Sequence, residues 1–237
     1  MDPRKCVFMT LDTETTGFDP KTDRVCEIGW EHTDWKGKSR GVFESLIDPD
    51  RAIPPEASAV HGLVDTDVMG KPKLHDLDAP APFDVFVAHN ASFDTQFVPG
   101  IADGKPVLCT LKLAQHLWPD LPQHKNQFLR YYFRLDIPEP YGSRMAHSAL
   151  ADAVVTARLL AFEFKEVYSR AKDPEAVTVE GLIEWSNAPR MLTTCRFGNK
   201  HYGIPWKDVP RSYLKWMQEK CTDLDADTRF TVERLLQ

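Results

Sequence analysis

The chain is short of cysteine. It has five in 237 residues, an odd number, with no C-x-x-C pair and no regular spacing. That argues against a disulfide framework and points to a reducing compartment, so a cytoplasmic location is expected. Long apolar runs are missing too. No stretch approaches the roughly 20 apolar residues of a membrane span, and "MDPRKCVFMT" has no signal-type apolar core. No membrane partner is expected. Internal repeats and low-complexity tracts are absent, which removes repeat arrays and biased linkers from consideration. An excess of positive charge is also lacking. The net charge of −6 argues against a protein that simply coats a polyanion.

The charge is unevenly spread, however. Seven basic residues lie between Arg190 and Lys220, against two acids, so that segment is +5 and the remainder −11. It reads either as a surface for phosphates or as a solvated helix face. With 42% hydrophobic residues, the chain can fill one sizeable core and a small appendage, or one large domain.

Strand-like runs at Cys6 to Leu11, Val25 to Trp30 and Gly41 to Ile47 are separated by turn-forming residues and predict an antiparallel meander. Short helical pieces follow in "PPEASAVHGLVDTDVMGKP". A strand over Asp84 to Asn90, a helix over Ala91 to Val98, a strand in "PVLCT" and a helix over Leu111 to Trp118 come next. Leu150, Ala153, Ala157, Leu160, Phe164 and Val167 recur at helical steps and predict a long helix from Ser148 to Ala171. Asp173 to Pro189, with two prolines and scattered acids, reads as a connector with a helical turn or two. The tail adds helices near Arg211 to Lys220 and Asp225 to Leu236. Strands first, then strands alternating with helices, predict an α/β chain with a mixed sheet and helices on its faces.

The chemistry concentrates in acids. In "TLDTETTG", Asp12 and Glu14 are two apart and project to one face of a strand. Two carboxylates about 4 Å apart repel by about 4 kcal/mol at an effective dielectric near 20. A cation between them, or a proton on one, relieves this. Facing water in a turn is the plainer alternative for an isolated pair. Asp94 follows another apolar strand end in "VAHNASFD". Asp152 stands between Ala151 and Ala153, where an unpaired carboxylate is expensive to bury. A charge at a helix N-terminus is its simpler reading. His147 precedes Asp152 by five residues, about 140° around a helix, so the two cannot share a helical face. His147 is therefore expected in the loop before the helix, swinging in with substrate.

"DTETTG", "HNASFD" and "HSALAD", in this order, resemble the three motifs of the DEDD exonucleases. The histidine marks the DEDDh subgroup, which includes proofreading exonuclease subunits and RNase T. The motif resemblance covers about Val7 to Leu160 and implies an RNase H-like mixed five-stranded sheet flanked by helices. It also implies a domain over residues 1–170, a linker over 171–189 and a small C-terminal α-rich module over 190–237. By resemblance, Asp12, Glu14, Asp94 and Asp152 hold two Mg²⁺ ions, which Mn²⁺ can replace, and His147 is the general base. Thr15, Thr16, Phe18, Val60, His61, Asn90 and Phe93 border the terminal nucleotide. Phe93 admits two readings, a stacking ring or a core aromatic, and His61 can equally be structural. The implied activity is 3′→5′ exonucleolytic hydrolysis at DNA 3′ ends, single- or double-stranded. RNA ends, a proofreading role and a silent binding module are the alternatives. Pairing into a homodimer is a further expectation.

In the tail, basic and aromatic residues interleave. Lys200, Tyr202, Trp206, Arg211, Lys215 and Trp216 are candidates for nucleic-acid contact. Tyr213, Leu214, Trp216 and Met217 also fit the core face of a helix. Both are expected, with aromatics packed inward and lysines outward. Lys112 and Lys125 are either phosphate contacts or solvated.

Overall fold

The structure is a computed structural model that describes residues 1–143 and 147–237. Its elements run β1 (Phe8–Thr15), β2 (Val25–Thr33), β3 (Ser39–Leu46), α1 (Pro55–His61), α2 (Asp65–Val68), β4 (Val85–Ala88), α3 (Ala91–Phe97), α4 (Pro99–Ala102) and β5 (Val107–Cys109). They continue with α5 (Thr110–Leu117), α6 (Asn126–Tyr132), α7 (Ala149–Arg170), α8 (Val179–Asn187), α9 (Arg211–Lys220) and α10 (Ala226–Leu236). Among the described residues, no helix is long and apolar enough to cross a membrane.

The strands form one sheet in the order β3-β2-β1-β4-β5. The first three pair antiparallel, and β4 and β5 add in parallel. This is the mixed five-stranded sheet expected from the sequence. Strand β1 runs four residues beyond the expected Leu11, because Asp12 to Glu14 stay in ladder register with Gly29 to Glu27 on β2. The two acids thus sit within the sheet, not in the turn after it. Helix α6 was not anticipated. Its seven residues carry one buried side chain, Leu129, so the sequence gives almost no amphipathic signal.

Apolar residues cover both faces of the sheet. Met9, Leu11, Ile28 and Phe86 form one cluster with Phe97 of α3. Phe8, Val85, Val87 and Leu108 form another with Leu160 and Phe164 of α7. Val179 and Leu182 of α8 join this second cluster, which seats the 171–189 segment against the sheet domain. A separate core over the tail holds Cys195, Trp206, Val209, Leu214, Met217, Leu224 and Val232.

Trp206 is therefore a core residue and not a nucleic-acid contact, because its ring fills that small core. Trp216 stacks on Tyr213 with ring centroids 5.2 Å apart, yet remains 46% exposed. Burying Leu214 and Met217 turns Trp216 outward, contrary to the expected inward packing. The Arg211 guanidinium donates to the Leu235 and Leu236 carbonyls.

Helix α7 is the main brace. The Arg158 guanidinium donates twice to the Glu31 carboxylate of β2, each at 3.1 Å, and Glu31 is almost fully buried. At its N-terminus α7 lies directly on Gly29, where a Cβ would stand 2.3 Å from the Leu150 nitrogen. Only glycine permits that approach.

Candidate active site

Three elements deliver the four acids to one end of the sheet. Strand β1 carries Asp12 and Glu14, the first turn of α3 carries Asp94, and the first turn of α7 carries Asp152. Glu14, Asp94 and Asp152 are buried, and Asp12 is half-buried. One ligand atom each from Glu14, His147 and Asp152 lie within 4.8 Å of one another. Asp12 and Asp94 fall outside that tight set but within its electrostatic field. Burial, then the charges of Asp94, Asp152, Glu14 and Glu27, hold the Asp12 carboxyl well above the usual carboxylate range. Burial pushes Glu14 up to about 8, with Asp152, Glu27 and Asp94 adding repulsion. Asp94 rises to about 7 through burial, although hydrogen bonding from Thr13 holds it down. The mutual repulsion inferred from the sequence is thus present in the fold.

Asp152 is held at both oxygens. The His147 backbone N–H donates to Oδ2 at 2.9 Å, and the Gln127 side-chain amide donates to Oδ1. Arg130 Nη1 donates to Gln127 Oε1 at 3.2 Å and orients that amide. His147 has φ 67°, a left-handed conformation that folds the chain back onto the start of α7. It does lie in the loop before the helix. Its imidazole, however, already stands beside Glu14 and Asp152, so the expected inward swing is not needed to bring it there.

The residues expected around the terminal nucleotide divide into four groups. Phe18 is 87% exposed, and its ring meets Phe93 edge-on at 6.2 Å. Phe93 in turn leans on Phe97 at 5.0 Å and packs against the core, so both readings of that ring hold together. The Thr15 hydroxyl donates to the Gly17 carbonyl, and Thr16 bonds to Asp23 and to the Arg24 nitrogen, so both shape the β1–β2 loop. His61 ends α1, where Nδ1 accepts from the Leu63 nitrogen and burial lowers its pKa. Val60 beside it is exposed. Asn90 takes a left-handed conformation, φ 73°, at the head of α3. The Lys112 ammonium is engaged with Asn187 at 2.6 Å.

Sequence reasoning missed three residues here. Thr13 donates to Asp94 at 2.9 Å. Glu27 lies directly opposite Glu14 on β2 and accepts from the Ala149 nitrogen at 3.2 Å. Gln127 comes from the unanticipated α6. Thr13 lies inside "DTETTG" but reads there as a spacer between the acids, no motif marks Glu27 or Gln127, and the β1–β2 register reveals Glu27 as a fifth acid.

The donor set fits a hard divalent cation. Glu14 and Asp152 offer carboxylate oxygen, Asp12 and Asp94 add negative charge beside them, the imidazole is the exception, and no thiol is in the set.

Known proteins resemble this chain in sequence and in fold. The RNase_T exonuclease family model matches residues 9–160. Exodeoxyribonuclease 10 of Escherichia coli strain K12 is 30% identical over 232 residues, covering 96% of this chain and 97% of its own. DNA polymerase III subunit epsilon of Treponema pallidum strain Nichols is 32% identical over 194 residues, covering 75% of this chain and 87% of its own. Exonuclease X, solved in complex with 5′ overhanging duplex DNA, superposes with a TM-score of 0.63 at 30% identity. That match covers 76% of this chain and 99% of the solved one. The sheet has the RNase H-like exonuclease fold, and by motif, fold and sequence the chain belongs to the exonuclease family.

Proposed function

We propose that the chain is a 3′→5′ exonuclease that hydrolyses the terminal phosphodiester of DNA and releases 5′-mononucleotides. The observation that carries this reading is the meeting of Glu14, His147 and Asp152 within 4.8 Å, in the field of Asp12 and Asp94. Asp12, Glu14, Asp94 and Asp152 would hold two divalent cations, Mg²⁺ or Mn²⁺. Bound there, the cations supply Lewis-acid polarisation and offset the negative charge that builds up during hydrolysis.

The chain's own groups do the rest. His147 takes the proton from the attacking water as the new P–O bond forms. The bond to the 3′ oxygen breaks, and the leaving strand carries away the electron pair. His147 would stay unligated for that work, because a hard divalent cation prefers carboxylate oxygen. Gln127 and the His147 backbone N–H hold Asp152 in place. Phe18 and Phe93 offer ring surface to the terminal base, a sequence-tolerant contact.

The E. coli exodeoxyribonuclease spans nearly the whole chain, which supports a free-standing DNA enzyme over a polymerase subunit. Asp12→Ala should cut the rate by about 10²- to 10³-fold, the scale of losing one preorganised charge. The assay is single-nucleotide shortening of 5′-labelled single-stranded DNA in Mg²⁺, with a chelator control. Wild-type cleavage by Asp12→Ala, or cleavage of RNA alone, would refute the assignment.

A further inference from the structure

We propose that the C-terminal segment forms one wall of the substrate path, and that Arg196 and Lys125 grip phosphates of the single strand on the 5′ side of the bond being cut. This rests on the exonuclease reading above. A groove of about 810 Å³ opens beside the acids. Asn90, His147 and Asp152 line its inner end. The loop over residues 119–125 with the first residues of α6 forms one side, and residues of the 190–196 segment form the other. Phe18 and Phe93, assigned to the terminal base, do not line it. The groove is therefore free for the nucleotides that follow.

Both walls are pinned. His89 Nε2 donates to the His124 carbonyl at 2.8 Å, and His124 Nε2 donates to the Trp118 carbonyl at 2.9 Å. Across the groove, Arg190 binds Asp227 of α10 through its side chain and its backbone nitrogen, each at 3.0 Å. The Leu192 nitrogen donates to the Thr231 hydroxyl at 2.8 Å. Cys195 exchanges backbone bonds with Ile204 and Gly203 at 2.8 and 2.7 Å. A wall fixed in this way loses little entropy when a ligand arrives.

Apart from Asp120, the charges on the walls are of the sign a strand needs. Arg190 is committed to Asp227, but Arg196 and Lys125 are exposed and have no ion-pair partner among the described residues. An acidic centre alone repels a polyanion, and cations on the approach offset that repulsion. A volume in the range of about 300–1,000 Å³ has room for a few nucleotides of one strand. The location also gives the +5 segment of the sequence a task that its exposed lysines farther along do not explain. Lys200, Lys215 and Lys220 do not line the groove.

The test is fluorescence anisotropy with a chelator present, using a 5′-fluorescein trinucleotide and a long oligothymidylate. The full chain is compared with Arg196→Glu, Lys125→Glu and Lys220→Glu, which make the same charge change at three exposed places. Arg196→Glu and Lys125→Glu should each weaken the long strand about tenfold and lower its salt slope by about 0.7 per contact. The trinucleotide should lose far less, Lys220→Glu should match the wild type, and Arg196→Lys should recover most of the loss. Wild-type affinity in Arg196→Glu and Lys125→Glu, or an equal loss in Lys220→Glu, overturns the proposal. Cleavage in Mg²⁺ is scored separately. Groove-dependent binding without any shortening would sink the exonuclease reading and leave the groove standing.

Discussion

Glu163 stands in the interior of α7 with no exposed surface, and neither carboxylate oxygen has a hydrogen-bond partner among the described residues. Burial, with a smaller push from Cys109, lifts its pKa well above the usual range. The unfolded chain releases this proton near pH 4.5, and the folded chain keeps it to a higher pH. The folded state then binds more protons, so its stability falls as pH rises above about 4.5. Glu163→Met, similar in size and without the carboxyl, should raise stability at pH 8 by about 1–3 kcal/mol. The gain should shrink toward pH 4.5. Thermal melts at both pH values check this, and a gain that grows on acidification would contradict it. Nothing in the pattern marks this residue, since Glu163 falls between Phe162 and Phe164 and reads as one more charge on a helix. Asp12, Glu14, Asp94 and Asp152 were legible because each ends or interrupts an apolar run. Glu27 was not, because an alternating strand ordinarily turns such a glutamate to water.

Helix α7 is where sequence, packing and site join. Its periodicity was plain, and its span matches the expected one to a residue at each end. What periodicity could not supply was its height above the sheet. That is set by Gly29, which faces Asp12 across the ladder and leaves room for the Leu150 backbone. Gly29→Ala must lift the first turn of α7, and with it Asp152 and His147. Overpacking of this kind costs about 1–3 kcal/mol. Displacing catalytic groups by about 1 Å costs on the order of 10²-fold in rate. Gly29→Ala should therefore lose about 10²-fold in kcat/KM while still folding with a lowered Tm. Wild-type kcat/KM in a variant with reduced Tm would show that this contact does not set the site. Helix α6 marks the opposite limit of legibility. Too short for a periodic signal, it still delivers Gln127 to Asp152.

For the whole molecule, the acid cluster couples folding, pH and cations. Glu14 rises to about 8 and Asp94 to about 7 in the fold. In the unfolded chain both titrate near 4. Stability attributable to the two is fully present below pH 4 and is lost as pH climbs, Asp94 reaching its limit near 7 and Glu14 near 8. Over that window each group contributes a slope of about 1.4 kcal/mol per pH unit. A divalent cation binds the deprotonated folded cluster and raises stability by mass action. The chelated protein should therefore melt at steadily lower temperature from pH 5 to 8. Millimolar Mg²⁺ should raise Tm much more at pH 8 than at pH 5, where protons already occupy the cluster. Glu14→Gln with Asp94→Asn should flatten the pH slope and remove most of the Mg²⁺ effect together, because one repulsion underlies both. A chelated protein whose Tm is level from pH 5 to 8, or a Mg²⁺ shift equal at both ends, would mean that the acids do not share the charge the fold assigns them.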